Sequence, residues 1–321
     1  MRVTVILCTY NRCQSLAQAL ESACALTMPD SDTWEVLVVD NNSTDATREL
    51  VNGFCRRYPD RFRYLFESRQ GKSHALNSAV REARGDVLAF LDDDVVVDPA
   101  WLHHLVAPLK GKQWAGVGGR TLPEQGFSPP PWLSLDSSYA LGPLAIFDLG
   151  LDPAELKEPP FGNNMAFKKG MLEKYGGFRT DFGPPPSKVR GEDTDFGRRV
   201  LAAGERLSYQ PLAVVYHAIP KTRVRREYFL AWWFTKARAD LRESGRAPRS
   251  NWSVGGIPLV LFRRLAIWTL RWIIAAPQAK RFSCKVNVWL VSGQIVEYFR
   301  QSLDKTTQPQ ARFPTGPELF D

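Results

Sequence analysis

The chain has 321 residues and a mass of 36.3 kDa, which corresponds to about two ordinary domains or one large α/β domain with an appendage. A composition of 44% hydrophobic and 24% charged residues excludes wholesale disorder. The five cysteines are odd in number and show no C-x-x-C spacing, which argues against a disulfide scaffold or a zinc site and favours a reduced compartment.

The net charge of +8 is unevenly distributed along the chain. Residues 217–321 hold 18 basic and 7 acidic side chains, a net +11, so residues 1–216 hold 24 basic and 27 acidic side chains, a net −3. This division predicts an anionic partner for the C-terminal third, either nucleic acid or the anionic face of a membrane. The apolar run Val3–Cys8 is too short for a secretory signal, and no apolar stretch reaches the ~18 uncharged residues of a membrane span.

Strand and helix patterns alternate over about the first 120 residues. Buried strands are predicted at Val3–Thr9, Trp34–Asp40, Phe62–Glu67 and Asp86–Leu91. Helical apolar spacing falls between them, at Leu16, Ala19, Leu20 and Ala23 and again at Leu76, Ala79, Val80 and Ala83. This alternation predicts an α/β fold with a doubly wound, Rossmann-like sheet and right-handed crossovers.

Capping residues and turn formers refine the predicted elements and mark where the strand–helix alternation stops. Ser43 or Thr44 is predicted to cap the second helix, with Asp45 in its first turn. Residues 121–160 are rich in proline and glycine and are predicted to form a loop excursion. Beyond them, strands are predicted at Asn164–Phe167 and Leu212–Tyr216, with a helix after Gly183–Pro186.

Polar residues cluster where the predicted strands end, at Thr9–Asn11, Asp40–Asn42 and Asp92–Asp94. Ligands bind beyond the carboxyl ends of parallel strands, although a single Asp there is also an ordinary turn former. Three adjacent carboxylates repel one another unless a cation neutralises them, and clustered oxygens suit Mg²⁺, Mn²⁺ or Ca²⁺.

Two phosphate-binding signatures are absent from the sequence. No G-x-G-x-x-G follows the first strand, and no G-x-x-x-x-G-K-[ST] occurs anywhere. A Rossmann-like sheet with clustered carboxylates and no glycine-rich loop predicts a nucleotide whose diphosphate is bound through a metal ion.

Seven short motifs occur in one order: Val3–Arg12 (VTVILCTYNR), Val39–Asp45 (VDNNSTD), Gly71–Asn77 (GKSHALN), Phe90–Asp94 (FLDDD), Asn163–Phe167 (NNMAF), Gly176–Phe178 (GGF) and Gly191–Asp195 (GEDTD). Together they closely resemble glycosyltransferase family 2, with its GT-A fold, over about residues 1–220. Asn41 departs from the pattern, because many members carry a second Asp there.

The resemblance implies roles for individual residues. The donor-binding residues would be Thr9, Tyr10, Asp40 and Asn41 at the base and ribose, and Lys72, Asn77 and Asp92 at the ribose and phosphates. Asp92 and Asp94 form the D-x-D pair, with Asp94 the more direct ligand of a Mg²⁺ or Mn²⁺ cofactor, and His217 would complete the coordination. The other interpretation of His217 is a structural histidine at a strand end, with its hydrogen-bonding groups paired within the fold.

The resemblance also implies the catalytic pair. Glu192 and Asp193 form the E-D motif, whose Asp is the family's usual general base. Glycosyl transfer needs a base near the acceptor hydroxyl, and it needs the charge of the departing diphosphate stabilised. The alternative for this pair is ordinary acidic charge at a helix N-terminus.

The C-terminal third is basic, helical and rich in tryptophan. Ile257–Ala276 is apolar except for a threonine and three arginines that fall within one arc of a helix: Arg263, Arg264 and Arg271. This pattern predicts a helix lying in a membrane interface on an apolar face that includes Ile257, Leu261, Leu265, Trp268, Trp272 and Ile273. A helix packed on the rest of the protein and a true span remain alternatives, and Val286–Phe299 is either a second such element or part of a homodimer contact.

The sequence therefore predicts a metal-dependent, inverting glycosyltransferase of cell-surface polysaccharide synthesis, peripheral on the cytoplasmic face of the inner membrane. Its partners would be a nucleotide-diphosphate sugar, with a UDP-sugar as first candidate, a saccharide or polyprenyl-linked acceptor, and an anionic membrane surface, but not nucleic acid. The predicted division is a GT-A domain at 1–220 (donor half 1–120, acceptor half 121–220), a basic helical region at 221–302 and a mobile tail at 303–321. A sugar nucleotidyltransferase and a basic nucleic-acid-binding protein are the alternatives.

Overall fold

The computed structural model describes residues 1–181, 191–244 and 252–303, and the chain divides into two structural units. The first unit comprises Met1–Gln125 and Phe147–Ala218, and the second comprises Gly126–Ile146 and the described residues from Ile219 onward. The predicted boundaries at 220 and 302 remain predictions. Gly183–Pro186 and, beyond Leu303, the predicted mobile tail lie outside the described residues.

Within the described residues, the first unit holds one nine-stranded sheet. Its strands are β1 Arg2–Thr9, β2 Thr33–Asp40, β3 Phe62–Phe66, β4 Val87–Asp92, β5 Val95–Val97, β6 Gly116–Pro123, β7 Ala154–Leu156, β8 Asn164–Lys168 and β9 Leu207–His217. Its helices are α1 Cys13–Cys24, α2 Thr47–Arg57, α3 Lys72–Glu82, α4 Trp101–Val106, α6 Lys169–Tyr175 and α7 Glu192–Ala202, with a 3₁₀ turn at Ala107–Lys110. The predicted α/β sheet is confirmed.

The strand order β3-β2-β1-β4-β8-β6-β9-β5, with β7 on β9, explains where the polar strand ends meet. The first four strands are parallel, and their register sets Thr9 opposite Asp40 and Cys8 opposite Asp92. β8 then enters antiparallel between β4 and β6, so the sheet is mixed beyond its doubly wound half. The carboxyl ends of β1, β2 and β4 therefore lie at one edge of the sheet.

Alternating side chains along the central strands fill two apolar layers. On β1, Val5 and Leu7 pack with the buried faces of α1 and α2, while Ile6 packs with α3, α6 and α7 on the other side of the sheet. All three side chains are buried, as expected of a strand covered on both faces. The sheet is thereby a rigid base for the loops at its carboxyl edge.

The start of α2 differs from the prediction. The helix begins at Thr47, and neither Ser43 nor Thr44 caps it. The Oδ1 of Asp45 instead accepts hydrogen bonds from the backbone N–H and the hydroxyl of Thr47, at 3.1 and 2.5 Å. The Ser43 and Thr44 amides donate to Asp40 and to Asn11, at 2.8 and 2.7 Å, so this loop ties the ends of β1 and β2 together.

The prediction of a loop over residues 121–160 is wrong in part. β6 runs to Pro123, the second unit contains helix α5 at Ser138–Leu144, and β7 pairs with β9. Trp132 explains the order near α5, because its ring lies 4.5 Å from that of Phe282 and 5.4 Å from that of Phe229 within the same unit. Burial of aromatic rings outweighs the local turn signals of the prolines.

The rest of the second unit is helical. It comprises α8 Arg226–Ser244, a hairpin of β10 Ser253–Val254 and β11 Ile257–Pro258, α9 Leu259–Ile274 and α10 Gln278–Leu303. Gly255 and Gly256 form the hairpin turn at φ of +57° and +79°, a left-handed conformation that glycine adopts without strain. The predicted element at Val286–Phe299 lies within α10, and its Val286, Val288 and Val291 are buried.

Helix α9 has two apolar faces, and the predicted exposed face is wrong for its packed residues such as Leu261, although its Ile273 is exposed. Leu261, Leu265 and Trp268 pack with residues of α10 such as Val291, because they lie on one face of the helix. The opposite face carries Leu270, Ile273 and Ile274, which are 61%, 63% and 71% exposed. Arg263, Arg264 and Arg271 are also exposed. Across the part of the chain that the structure describes, no helix is both long and apolar enough to cross a bilayer.

Candidate active site

The loops after β1, β2 and β4 bring most of the predicted donor residues to one edge of the sheet. The Asp40 carboxylate is buried and accepts hydrogen bonds from the Ser43 amide and the Tyr64 hydroxyl, both at 2.8 Å. Tyr10, in contrast, is 47% exposed. A fixed carboxylate beside an exposed aromatic ring is suited to hold a nucleoside, the first through ribose hydroxyls and the second by stacking.

Asn41 lies at the same edge, but its side chain is engaged by the backbone. Its amide nitrogen donates to the carbonyls of Glu67 and Arg69 at 3.2 and 2.7 Å, and its carbonyl accepts from the Gly71 amide at 2.8 Å. These bonds place the loop that leads into α3 and therefore place Lys72. Asn41 acts here as a positioning residue for that loop.

Lys72 and Asn77 lie on α3 but in different surroundings. The Lys72 ammonium is 2.6 Å from Asp92 and 3.8 Å from Glu192, inside the carboxylate cluster. Burial lowers the pKa of Lys72, but the charges of Asp92 and Glu192 outweigh burial and raise the pKa above its ordinary value. Asn77 instead donates to the Phe178 carbonyl at 2.7 Å and accepts from its amide at 2.8 Å, buried away from the strand ends.

Arg12 is a candidate site residue to which the sequence analysis assigned no role. One guanidinium nitrogen of Arg12 lies 3.0 Å from Asp93 and 3.1 Å from Asp94, while the Thr9 hydroxyl donates to Asp93 at 2.7 Å. Burial raises the pKa of Asp93 to about 6, Arg12 opposes that rise, and Asp94 adds to it. The available signal was the arginine that ends the run Thr9–Arg12, directly after β1.

Two cations of the protein thus partly compensate the three adjacent carboxylates. Lys72 faces Asp92, and Arg12 faces Asp93 and Asp94. The two cations offset two of the three negative charges, so part of the mutual repulsion of these carboxylates remains. In the described ranges, no group of three or more His, Cys, Asp or Glu side chains is arranged to hold a metal ion.

A pair of donors at this edge does suit a divalent ion. His217 ends β9 opposite Val95, is 1% exposed, and its Nε2 is 3.6 Å from the Asp94 Oδ1. Neighbouring ligands of an octahedral ion bound at ~2.1 Å lie ~3 Å apart, so one imidazole and one carboxylate are close to the spacing that such an ion needs. Their chemistry suits Mn²⁺, which accepts both nitrogen and oxygen ligands.

The predicted catalytic pair, Glu192 and Asp193, lies at the N-terminus of α7, after Gly191 at φ +121°. Asp193 accepts hydrogen bonds from the Gly162 amide at 2.6 Å and from the Thr194 amide at 2.7 Å. Glu192 is buried, which raises its pKa, although the charge of Lys72 opposes the rise. The two neighbouring carboxyl groups therefore have different environments, one held by backbone amides and the other desolvated beside a lysine.

Comparison with known proteins gives this geometry a context. The sequence profile described as Glycosyl transferase family 2 matches residues 4–176. The succinoglycan biosynthesis protein ExoM of Rhizobium meliloti (strain 1021) is 26% identical over 258 residues, which cover 79% of this chain and 80% of that protein. Glycosyltransferase AglE of Haloferax volcanii is 25% identical over 280 residues, covering 86% and 82% respectively.

A solved structure agrees on the fold. The mannosyltransferase PcManGT from Pyrobaculum calidifontis, in complex with GDP-Man and Mn²⁺, has a TM-score of 0.59 at 21% identity. The match covers 93% of this chain and 87% of that one. The likeness shows the fold, and the predicted GT-A architecture is confirmed.

Proposed function

This chain belongs to glycosyl transferase family 2, and from that premise we propose that it is a metal-dependent, inverting enzyme that uses a nucleotide-diphosphate sugar. The acceptor is a saccharide, free or linked to a polyprenyl carrier, in cell-surface polysaccharide synthesis. The name of the relative from Rhizobium meliloti, a succinoglycan biosynthesis protein, supports this choice of product. Family membership favours glycosyl transfer over the sugar nucleotidyltransferase considered from the sequence.

The observation that carries the proposal is the group of charges at the carboxyl edge of the sheet. Lys72 and Arg12 bring two cations to the place where β1 and β4 end. When a diphosphate binds there, its oxygens replace the carboxylates as the partners of these two cations. Asp40 and Tyr10 lie on the β1–β2 side of the same edge, where the nucleoside of the donor would bind. A UDP-sugar remains our first candidate, and a GDP-sugar is the direct competitor because the solved mannosyltransferase contains GDP-Man.

The residues that would hold a divalent ion are Asp94 and His217, with Asp92 close by. When bound, such an ion withdraws negative charge from the diphosphate oxygens and makes the diphosphate a better leaving group. The Mn²⁺ in the solved mannosyltransferase supports this assignment. Titration of the protein with Mn²⁺ alone, followed by electron paramagnetic resonance, tests it, and Asp94→Ala should weaken that binding severalfold while circular dichroism stays unchanged.

We assign the base to Asp193. It accepts the proton of the acceptor hydroxyl as the oxygen bonds to the anomeric carbon from the face opposite the diphosphate. The bond between that carbon and the diphosphate oxygen breaks, the nucleotide diphosphate leaves, and the centre is inverted. The Gly162 and Thr194 amides hold the carboxylate in one orientation. Glu192 lies beside Lys72 and has the role of setting the charge around the lysine.

The experiment compares Asp193→Asn with Glu192→Gln in a transfer assay over a panel of UDP- and GDP-sugars. Asp193→Asn keeps the shape but cannot accept a proton, so the rate should fall ~100-fold or more while donor affinity stays nearly constant. Glu82→Gln, on the exposed last turn of α3, is the matched control. A severe loss in Glu192→Gln with a mild loss in Asp193→Asn would reverse the two roles, and failure of every nucleotide sugar to bind would refute the donor class.

The second part of the proposal is peripheral attachment to the cytoplasmic face of the inner membrane through α9. Leu270, Ile273 and Ile274 offer an apolar surface that is mostly exposed. Arg263 and Arg271 are exposed on the same helix, and each arginine near an anionic surface contributes ~1 kcal/mol. Replacing Leu270 and Ile273 by Ser should release the protein from anionic vesicles, whereas an unchanged vesicle affinity would refute attachment through this face.

A further inference from the structure

The second unit contains an open cavity of about 260 Å³ that the proposed function does not use. It lies where α8 begins, α9 ends and α10 begins, and it is lined by Arg226, Trp272, Gln278, Arg281, Phe282 and Lys285. This volume is just below the ~300–1,000 Å³ of pockets for drug-sized molecules, so the cavity suits a small group rather than a whole nucleotide.

Three of the six lining residues are cations and none is acidic. Gln278, Arg281, Phe282 and Lys285 recur at positions i, i+3, i+4 and i+7 of α10, so one face of that helix supplies two of the three cations. Gln278 is the first residue of α10 and Arg226 the first of α8, so two long helices also direct their positive N-terminal ends toward this region.

Aromatic rings hold the cations in place. The Lys285 ammonium lies 5.2 Å from the ring centres of both Trp272 and Trp289. The Arg226 guanidinium lies 6.0 Å from the Phe282 ring. Within the described residues, no carboxylate comes within 4.0 Å of the cationic atoms of Arg226, Arg281 or Lys285. Arg238 and Arg242, the other two arginines of α8, are both paired with Glu297. A cationic cavity held open by aromatic rings and without carboxylate partners is arranged for an anionic ligand.

The last turn of α9 reaches this cavity through Trp272 and carries exposed apolar residues on its other sides. Trp272 lines the cavity, and Ile273 and Ile274, the next residues of α9, are among the most exposed apolar side chains of the chain. A ligand that spans both features needs a charged head and an apolar chain. Three cations favour a phosphomonoester or diphosphate, which carries close to two negative charges or more near neutral pH, over a singly charged phosphodiester.

We propose that this cavity binds the phosphomonoester or diphosphate headgroup of a membrane lipid, with the exposed apolar residues of the last turn of α9 entering the same membrane. The inference rests on the proposed membrane attachment and specifies its ligand. It requires a preference for phosphomonoester lipids beyond what net surface charge alone produces, because a general electrostatic attraction does not distinguish headgroups at equal surface potential.

Vesicle flotation tests this preference directly. Phosphatidylcholine vesicles doped with phosphatidic acid are compared with vesicles doped with phosphatidylglycerol at equal zeta potential. Wild-type protein should bind the phosphatidic acid vesicles about tenfold more tightly, the equivalent of one charge-assisted hydrogen bond or more. In a second experiment the protein is titrated with inorganic phosphate and with pyrophosphate, and quenching of tryptophan fluorescence reports whether a free anion binds.

The variant pair is matched in charge and exposure. Arg226→Gln with Arg281→Gln removes two lining cations, and Lys221→Gln with Lys280→Gln removes two exposed cations that do not line the cavity. The first pair should lose the tenfold preference, and the second pair should keep it. Both pairs should retain transfer to a soluble acceptor, which makes failure of this inference distinguishable from failure of the glycosyltransferase assignment.

Each other result overturns the inference in a different way. Equal binding to the two vesicle types at equal zeta potential leaves a membrane surface but no headgroup site. Quenching by free phosphate without vesicle binding makes the cavity a site for a soluble anion. If the protein shows neither quenching nor vesicle binding, both the cavity site and the membrane attachment are refuted.

Discussion

The ion-pair network around Glu297 joins α8 to α10 and allows a quantitative test of the second unit. The Glu297 side chain is fully buried, and its oxygens lie 3.1 Å from Arg238, 2.7 Å from Arg242 and 3.2 Å from Arg300. Burial raises the pKa of Glu297, but its hydrogen bonds to Arg242 and Arg238 outweigh burial and lower the pKa to about 2. The perturbation is Glu297→Gln, which keeps the shape and removes the charge.

The lowered pKa of Glu297 sets the size of the stability loss expected in Glu297→Gln and the sign of its pH dependence. A carboxyl whose pKa falls from 4.5 to about 2 on folding contributes up to ~3 kcal/mol of stability. The three arginines are partly exposed, and water recovers part of their interaction, so we expect a loss of about 2 kcal/mol in Glu297→Gln at pH 7. Because the folded-state pKa is the lower one, this contribution is complete above pH 4.5 and is lost as the pH falls toward 2.

Urea unfolding followed by tryptophan fluorescence measures this difference. Seven of the ten tryptophans belong to the second unit: Trp132, Trp232, Trp233, Trp252, Trp268, Trp272 and Trp289. The stability difference between wild type and Glu297→Gln should shrink to less than half between pH 6 and pH 3, whereas Glu227→Gln, on the exposed first turn of α8, should show no such trend. A difference that stays constant over this pH range would refute the assignment of the network as a charged one.

Three further changes test other contacts by thermal denaturation. Asn77→Ala removes both hydrogen bonds to the backbone of Phe178 and should destabilise the first unit by ~2–4 kcal/mol. Gly293→Ala places a Cβ 2.5 Å from a backbone oxygen of α8 and should lower the Tm, while Gly170→Ala, with open space around it, should not. Arg12→Ala leaves two carboxylates without their guanidinium, so its Tm should fall, and Mn²⁺ should restore it.

Much of the first unit could be predicted from its sequence because strand burial leaves a local trace. The runs Val3–Thr9 and Trp34–Asp40 are apolar at nearly every position, as strands covered on both faces must be, and the structure has β1 and β2 there. Polar residues directly after such runs fall at the carboxyl edge of the sheet because the strands are parallel. The carboxylates of Asp92–Asp94 were therefore found without any knowledge of the tertiary structure.

The partners of those residues could not be predicted in the same way. Arg12 contacts Asp93 and Asp94 across more than 80 residues of sequence, and Asn77 pairs with Phe178 across 101. Contacts of this separation depend on how loops and helices pack on the sheet, and no periodicity records them. A motif predicted Asn77 as a donor residue, which stays a prediction, but nothing local predicted its two hydrogen bonds to Phe178.

The sequence by itself determined that α9 would be an amphipathic helix, because the spacing of its apolar residues and arginines is a local property of the chain. It did not determine which side faces solvent, because Leu261, Leu265 and Trp268 on one face are as apolar as Leu270, Ile273 and Ile274 on the other. Only the packing of α10 against the first face decided this, burying Leu261 and leaving Ile274 71% exposed. The hydrophobic effect rewards burial of either face equally, so the choice belongs to the partner helix and its shape.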